Sequence, residues 1–147
     1  MTYVLEASLL HLLHRAAQSA NDLFAIEQSV DGLTSRQLVV LAAIAENEGL
    51  SQTGIVSRTG VDRSTLADVV RRLLNKGLVV RRRTKDDARA YAVKLTADGQ
   101  RILADAGATA VRTEEKLLSG LSVSNRRDLI RLLRALADTA SAPEPSK

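Results

Sequence analysis

At 147 residues the chain suits one compact domain. It is 45% apolar but only 2% aromatic, so its core must be built from Leu, Val, Ile and Ala. Without cysteine it can hold no disulfide or thiolate metal site, and no apolar run approaches the roughly 20 residues of a membrane span, so a cytoplasmic protein with a net charge of +4 is expected.

From the N-terminus, Glu6 to about Val30 reads as one long helix. Its apolar residues, from Leu9 and Leu10 to Phe24 and Ile26, cover more than a single stripe, which suggests one side facing its own chain and another facing a partner. Asp31 and Gly32 break the pattern. Thr34 caps a second helix, Ser35 to about Ala45, with Leu38, Val39, Leu41, Ala42 and Ile44 inward. Glu46 to Gly49 form a turn.

Ser51 then caps a short helix from Gln52 to about Thr59, and Gly60 permits a tight turn. Asp62 caps the next helix, which runs to about Lys76 before Gly77 ends it. Leu66, Val69, Val70, Leu73 and Leu74 mark its inner side. Arg63, Ser64, Thr65, Asp68, Arg71, Arg72 and Asn75 lie opposite. Leu78 to Arg83 reads as a strand, Thr84 to Ala88 as a charged turn, and Arg89 to Leu95 as the return strand.

Helix, turn, Arg-bearing helix and charged hairpin make up a winged helix-turn-helix. A helix of about 22 Å from Asp62 to Lys76 fits a major groove about 12 Å wide, N-terminal residues nearest the bases. Arg63, Ser64 and Thr65 are therefore the base-contact candidates. Gln52, Thr53, Asp68, Arg71 and Arg72 complete the candidate DNA-facing set on the two helices. Arg81, Arg82, Arg83 and Lys85 would meet phosphates. Arg89 would enter a minor groove, oriented by Asp87. Between Ser51 and Leu95 eleven Lys and Arg face four Asp and Glu, a net +7, leaving −3 for the rest of the chain. An Arg-bearing helix alone is ordinarily just solvated, and three arginines in a strand can merely protect a sheet edge. The order of the elements favours DNA.

The same stretches resemble the multiple-antibiotic-resistance regulator (MarR) family of bacterial transcription factors. Leu33-Thr34-Ser35-Arg36-Gln37 is similar to the family's opening of the second helix, and Val61 to Leu66 to the start of its recognition helix. Leu73 to Val79 is similar to the end of that helix. Asp87-Ala88-Arg89, followed by Val93 to Thr96 and Gly99, is similar to its wing. The resemblance implies a dimeric, ligand-responsive regulator, most simply a repressor, released by a small aromatic, phenolic or anionic effector. It implies a pocket between the first, second and fifth helices and the DNA-binding lobe. The absence of cysteine removes the peroxide-sensing mode of some members.

His11 and His14, the only histidines, sit three residues apart and could share a metal, but no carboxylate or Cys lies close in sequence to complete a site. By the resemblance, His11, His14 and Arg15 could meet an anionic or phenolic ligand; they could equally be helix-surface residues near a dimer contact. No cofactor is expected.

After the wing, Thr96 caps a long helix from Ala97 to about Ser119, with small residues from Ala104 to Ala110. Ser122 or Ser124 starts a last amphipathic helix, and Ser141 to Lys147 reads as a tail. The expected fold class is mainly α with a small β-wing. Segments 1–32 and 97–140 would be dimerisation helices, 34–96 the DNA-binding lobe and 141–147 the tail. Two recognition helices about 34–36 Å apart would read a palindromic operator. An architectural DNA-binding protein without ligand control is the alternative. An enzyme is not expected, because there is no phosphate-cradling Gly-rich loop, Cys nucleophile or zinc-protease motif.

Overall fold

The computed structural model describes residues 4–28, 32–47, 49–84 and 91–141. Its elements follow the order α1 (Leu9–Glu27), α2 (Ser35–Glu46), α3 (Gln52–Thr59), α4 (Arg63–Asn75), β1 (Val79–Arg83), β2 (Tyr91–Leu95), α5 (Ala97–Leu117) and α6 (Val123–Ser141). A single 3-10 turn, Leu5–Ala7, precedes α1. The mainly helical architecture with a two-stranded antiparallel wing is the expected fold class.

Side-chain caps start the helices where the sequence places them. Thr34 accepts from the Gln37 N–H while the Gln37 side chain accepts from the Thr34 N–H, a reciprocal capping box. Ser51 accepts from Gly54 N–H, Asp62 from Thr65 N–H and Thr96 from Gly99 N–H. Gly60 adopts φ +69° and closes the tight turn between α3 and α4, a conformation that costs other residues strain.

Several boundaries differ from the sequence reading. The first helix does not start at Glu6: Ser8 is extended and caps α1, so Glu6 lies in the separate turn. α1 ends at Glu27, and Val30 and Asp31 lie outside the described residues. Leu78 precedes the strand instead of opening it: its N–H still closes the end of α4, donating to the Leu73 carbonyl at 3.0 Å. Val39, expected inward, is 50% exposed, since α2 rests on only part of its apolar surface. The charged turn and the start of the return strand, including Lys85, Asp87 and Arg89, lie outside the described residues.

The core lies in the middle of the chain. Leu41, Ile44, Ile55, Leu66, Val70, Leu73, Val79 and Val93 are fully buried, from α2, α3, α4 and both strands. Ile102 and Ala106 of α5 close it from one side. The hairpin pairs Val79 with Leu95 through Arg83 with Tyr91. Ser51 adds a bridge to Ala92, and Val93 N–H donates to Leu50 carbonyl at 3.1 Å, which locks α3 onto the wing.

The terminal helices are packed differently. α1 buries only Phe24, and no described side chain of α6 is buried. Leu9, Leu10, Leu12 and Leu13 of α1 and Ile130, Leu132, Leu133 and Leu136 of α6 are exposed. Among the described residues no helix is long and apolar enough to cross a membrane.

Candidate nucleic-acid interface

The lobe of α2 to β2 holds α4 rigidly by its inner stripe and leaves its other side in solvent. Arg63, in the first turn of α4, is exposed and makes no ion pair among the described residues. Its guanidinium is available to an external acceptor, and Arg is the residue whose fork matches a guanine edge or a phosphate.

Ser64 and Thr65 are less free than the sequence suggests. Ser64 Oγ donates to Asp62 Oδ1 at 2.9 Å, and Thr65 Oγ1 donates to Asp62 Oδ2 at 2.6 Å. Both hydroxyl protons thus serve the cap, and the oxygens keep only acceptor capacity for an outside donor. The hydrogen bonds from Thr65, side chain first and then backbone, and from Ser64 hold the Asp62 carboxyl at about 2, below its ordinary value of 3.8.

Asp68 organises the next turn. It accepts from Arg71 Nη2 through one oxygen and from Arg72 Nε at 2.7 Å through the other. These bonds, Arg72 first, hold its carboxyl below the usual carboxylate range. Arg71 and Arg72 are therefore fixed along the helix surface, and their charge is partly offset before any DNA arrives. The i, i+3 and i, i+4 spacings of this pair of contacts were present in the sequence.

Gln52 is half-buried and Thr53 exposed at the start of α3. On the wing, Arg81, Arg82 and Arg83 are all exposed. Arg83 lies over the Tyr91 ring, 5.9 Å from its centre, which holds the guanidinium across the hairpin. Arg63, Arg81 and Arg82 are thus unpaired cations among the described residues, whereas Arg71, Arg72 and Arg83 have intramolecular partners.

His11 is half-buried, and His14 and Arg15 are exposed, on the N-terminal half of α1. They are separate from a cavity of about 840 Å³ lined by the C-terminal half of α1, the start of α2 and α4. The family resemblance implied a pocket between α1, α2, α5 and the lobe; α5 lends this cavity no residue, and the sequence reading did not identify the residues at its wall, Gln28 and Arg36 among them. No local pattern marks them, because three distant segments build it. Among the described residues no group of three His, Cys, Asp or Glu is placed to hold a metal ion.

A sequence profile of the MarR family matches residues 31–90, the helix-turn-helix and the start of the wing. The transcriptional regulator HosA of Escherichia coli is 32% identical over 113 residues, 77% of this chain and 84% of that protein. The PcaV transcriptional regulator of Streptomyces coelicolor, solved in complex with its natural ligand, is 33% identical. It superposes with a TM-score of 0.86, covering 95% of this chain and 99% of PcaV. BpsR of Bordetella bronchiseptica, whose DNA binding is regulated by 6-hydroxynicotinic acid, superposes with a TM-score of 0.87 at 28% identity, over 94% of this chain and 99% of BpsR. These similar proteins are transcriptional regulators, not enzymes. The chain belongs to the MarR family of DNA-binding transcriptional regulators.

Proposed function

We propose that the protein is a homodimeric repressor that binds a palindromic operator and is released from it by a small organic molecule. The observation that carries this is the pairing of two surfaces. One is the cationic surface of the unpaired Arg63 at the capped start of α4 together with the exposed arginines of β1. The other is the apolar surface of α1 and α6, which a single chain leaves uncovered.

The two surfaces have complementary uses. Burying the leucines of the terminal helices against a second copy removes exposed apolar area of the kind that marks an interaction surface. It also sets the distance between two recognition helices, and a separation near 34–36 Å addresses successive major grooves. Arg63 then reads base edges. Gln52, Thr53, Arg71, Arg72, Arg81, Arg82, Arg83 and Lys85 position the lobe on phosphates, and Arg89, oriented by Asp87, enters the minor groove.

The similarity to PcaV and BpsR supports control by a ligand. A ligand changes DNA affinity only by binding one arrangement of the two lobes better than the other. In this reading the chain acts by binding and not by catalysis, and works in the cytoplasm with the chromosome.

The test is selection of genomic DNA fragments by the purified protein at physiological salt. One shared inverted repeat, with half-site centres about one helical turn apart, is the expected result. Fragments without a common sequence, bound with a purely salt-dependent affinity, would show an architectural protein instead.

A further inference from the structure

The solvent side of α4 carries an acid among its arginines. Leu66, Val69, Val70 and Leu73 form the buried stripe of the helix. Ser64, Asp68, Arg71 and Asn75, spaced by four, three and four residues, run along the opposite side, which solvent reaches. From Arg63 to Asn75, Asp68 is the only acidic residue, against three arginines. A carboxylate in the middle of a face that meets phosphates is repelled by them.

Stability does not account for its presence. Both of its ion pairs are exposed, with 61% and 60% of the Arg71 and Arg72 side chains open to solvent, and exposed pairs contribute little. What the arrangement changes is the charge that DNA meets. Asp68 accepts from a terminal nitrogen of Arg71 through one oxygen and from Arg72 Nε, at 2.7 Å, through the other. The three groups together present a net +1, two cations less one anion, and a phosphate must compete with Asp68 for either guanidinium. The bonds from Arg72 and Arg71 hold the Asp68 carboxyl below its usual range, so the competitor is charged at neutral pH.

Contacts to phosphate are the sequence-independent part of DNA binding, and their strength follows the number of cations free to make them. Holding two arginines back lowers affinity for arbitrary DNA. On the operator the loss is smaller, because base contacts fix the lobe and the two guanidinium groups arrive already ordered.

We propose that Asp68 is a positioning residue for specificity: it withholds Arg71 and Arg72 from the phosphates of arbitrary sequence and presents them in one arrangement to the operator. Discrimination is raised by weakening the wrong complex. The inference rests on the sequence-specific binding proposed above.

The test is binding of the full-length protein, across a salt series, to a duplex of random sequence and to the inverted repeat recovered by genomic selection. Asp68→Asn should bind the random duplex about three- to tenfold more tightly at low salt, with a salt slope steeper by about one to two. Affinity for the inverted repeat should rise less, so the ratio of the two affinities falls. Asp68→Glu keeps a carboxylate within reach of both arginines and should behave as wild type. Asp128→Asn makes the same change in whole-chain charge on α6, where Asp128 pairs with Arg131. It should leave both affinities within about twofold of wild type. Thermal melts of each variant establish that it is folded.

Unchanged or weaker binding of the random duplex by Asp68→Asn overturns the proposal, as does an equal gain from Asp68→Glu or Asp128→Asn. Equal gains on both duplexes also overturn it, because Asp68 would then set affinity and not specificity. If selection recovers no inverted repeat, the sequence-specific reading itself fails, and the salt slope on the random duplex alone shows whether Asp68 still withholds the arginines.

Discussion

The carboxylate of Asp62 accepts both the backbone N–H of Thr65, at 2.9 Å, and its hydroxyl, at 2.6 Å. One side chain thus caps the recognition helix and orients a residue in its first turn. Because these bonds hold the Asp62 carboxyl at about 2, its folded-state pKa lies below its unfolded value. The cap therefore contributes its full stability above about pH 4, the ordinary carboxylate pKa, and loses it as the pH falls through about 2. Melting curves of wild type and Asp62→Ala should differ by a constant amount from neutral pH down to about pH 5, then converge. A difference that does not shrink in acid would show that the charged cap is not the stabilising interaction.

Gly99 packs directly on the backbone of Leu78: a Cβ at that position would lie 2.0 Å from the Leu78 carbonyl oxygen. That carbonyl also accepts from Thr96 N–H, so neither partner can yield without loosening the joint between wing and α5. Gly99→Ala should destabilise the protein by about 2–3 kcal/mol, read by urea denaturation. Gly107→Ala is the control. It meets nothing within 4 Å in the same helix and should raise stability by about 0.5–1 kcal/mol.

The arginines divide by role. Arg63→Ala should cost about 1–3 kcal/mol of specific binding and relax preference at one operator position, whereas Arg81→Ala should weaken all sequences alike and lower the salt slope by about one. Binding titrations across a series of salt concentrations, on operator and on mismatched DNA, distinguish the two. Identical changes in both variants would remove Arg63 from base readout.

Leu133 and Leu136 of α6 are exposed in one chain, at 43% and 45%, so a change to Asp there costs a monomer little. In the proposed dimer the same change buries a charge against an apolar partner. Leu133→Asp should give a folded monomer by sedimentation equilibrium with greatly weakened operator binding. A dimer of undiminished affinity would place the interface elsewhere.

The lobe was readable because its signals are local. Thr34, Ser51, Asp62 and Thr96 each cap a helix within three residues of themselves, and the inner stripe of α4 repeats at helical spacing. The exposed terminal leucines were legible too, as an apolar surface too broad for one chain. The boundary errors have short-range causes. Ser8 caps α1 three residues before His11, which cuts the long helical pattern, and Val39 shares the apolar character of α2 without sharing its buried face.

Arg71 and Arg72 show the limit of reading a helix face. Their spacing from Asp68 was visible, but only the coordinates show Asp68 using one oxygen for each. The sequence by itself determined the order of elements, the caps, the concentration of positive charge and the family, because periodicity, capping and charge act within a few residues. Tertiary structure alone decided that Ser51 joins Ala92, that Gly99 must touch Leu78, and that Gln28, Arg36 and Arg72 share one cavity. Those contacts join residues whose separation along the chain carries no period, so only the packing of the whole core brings them together.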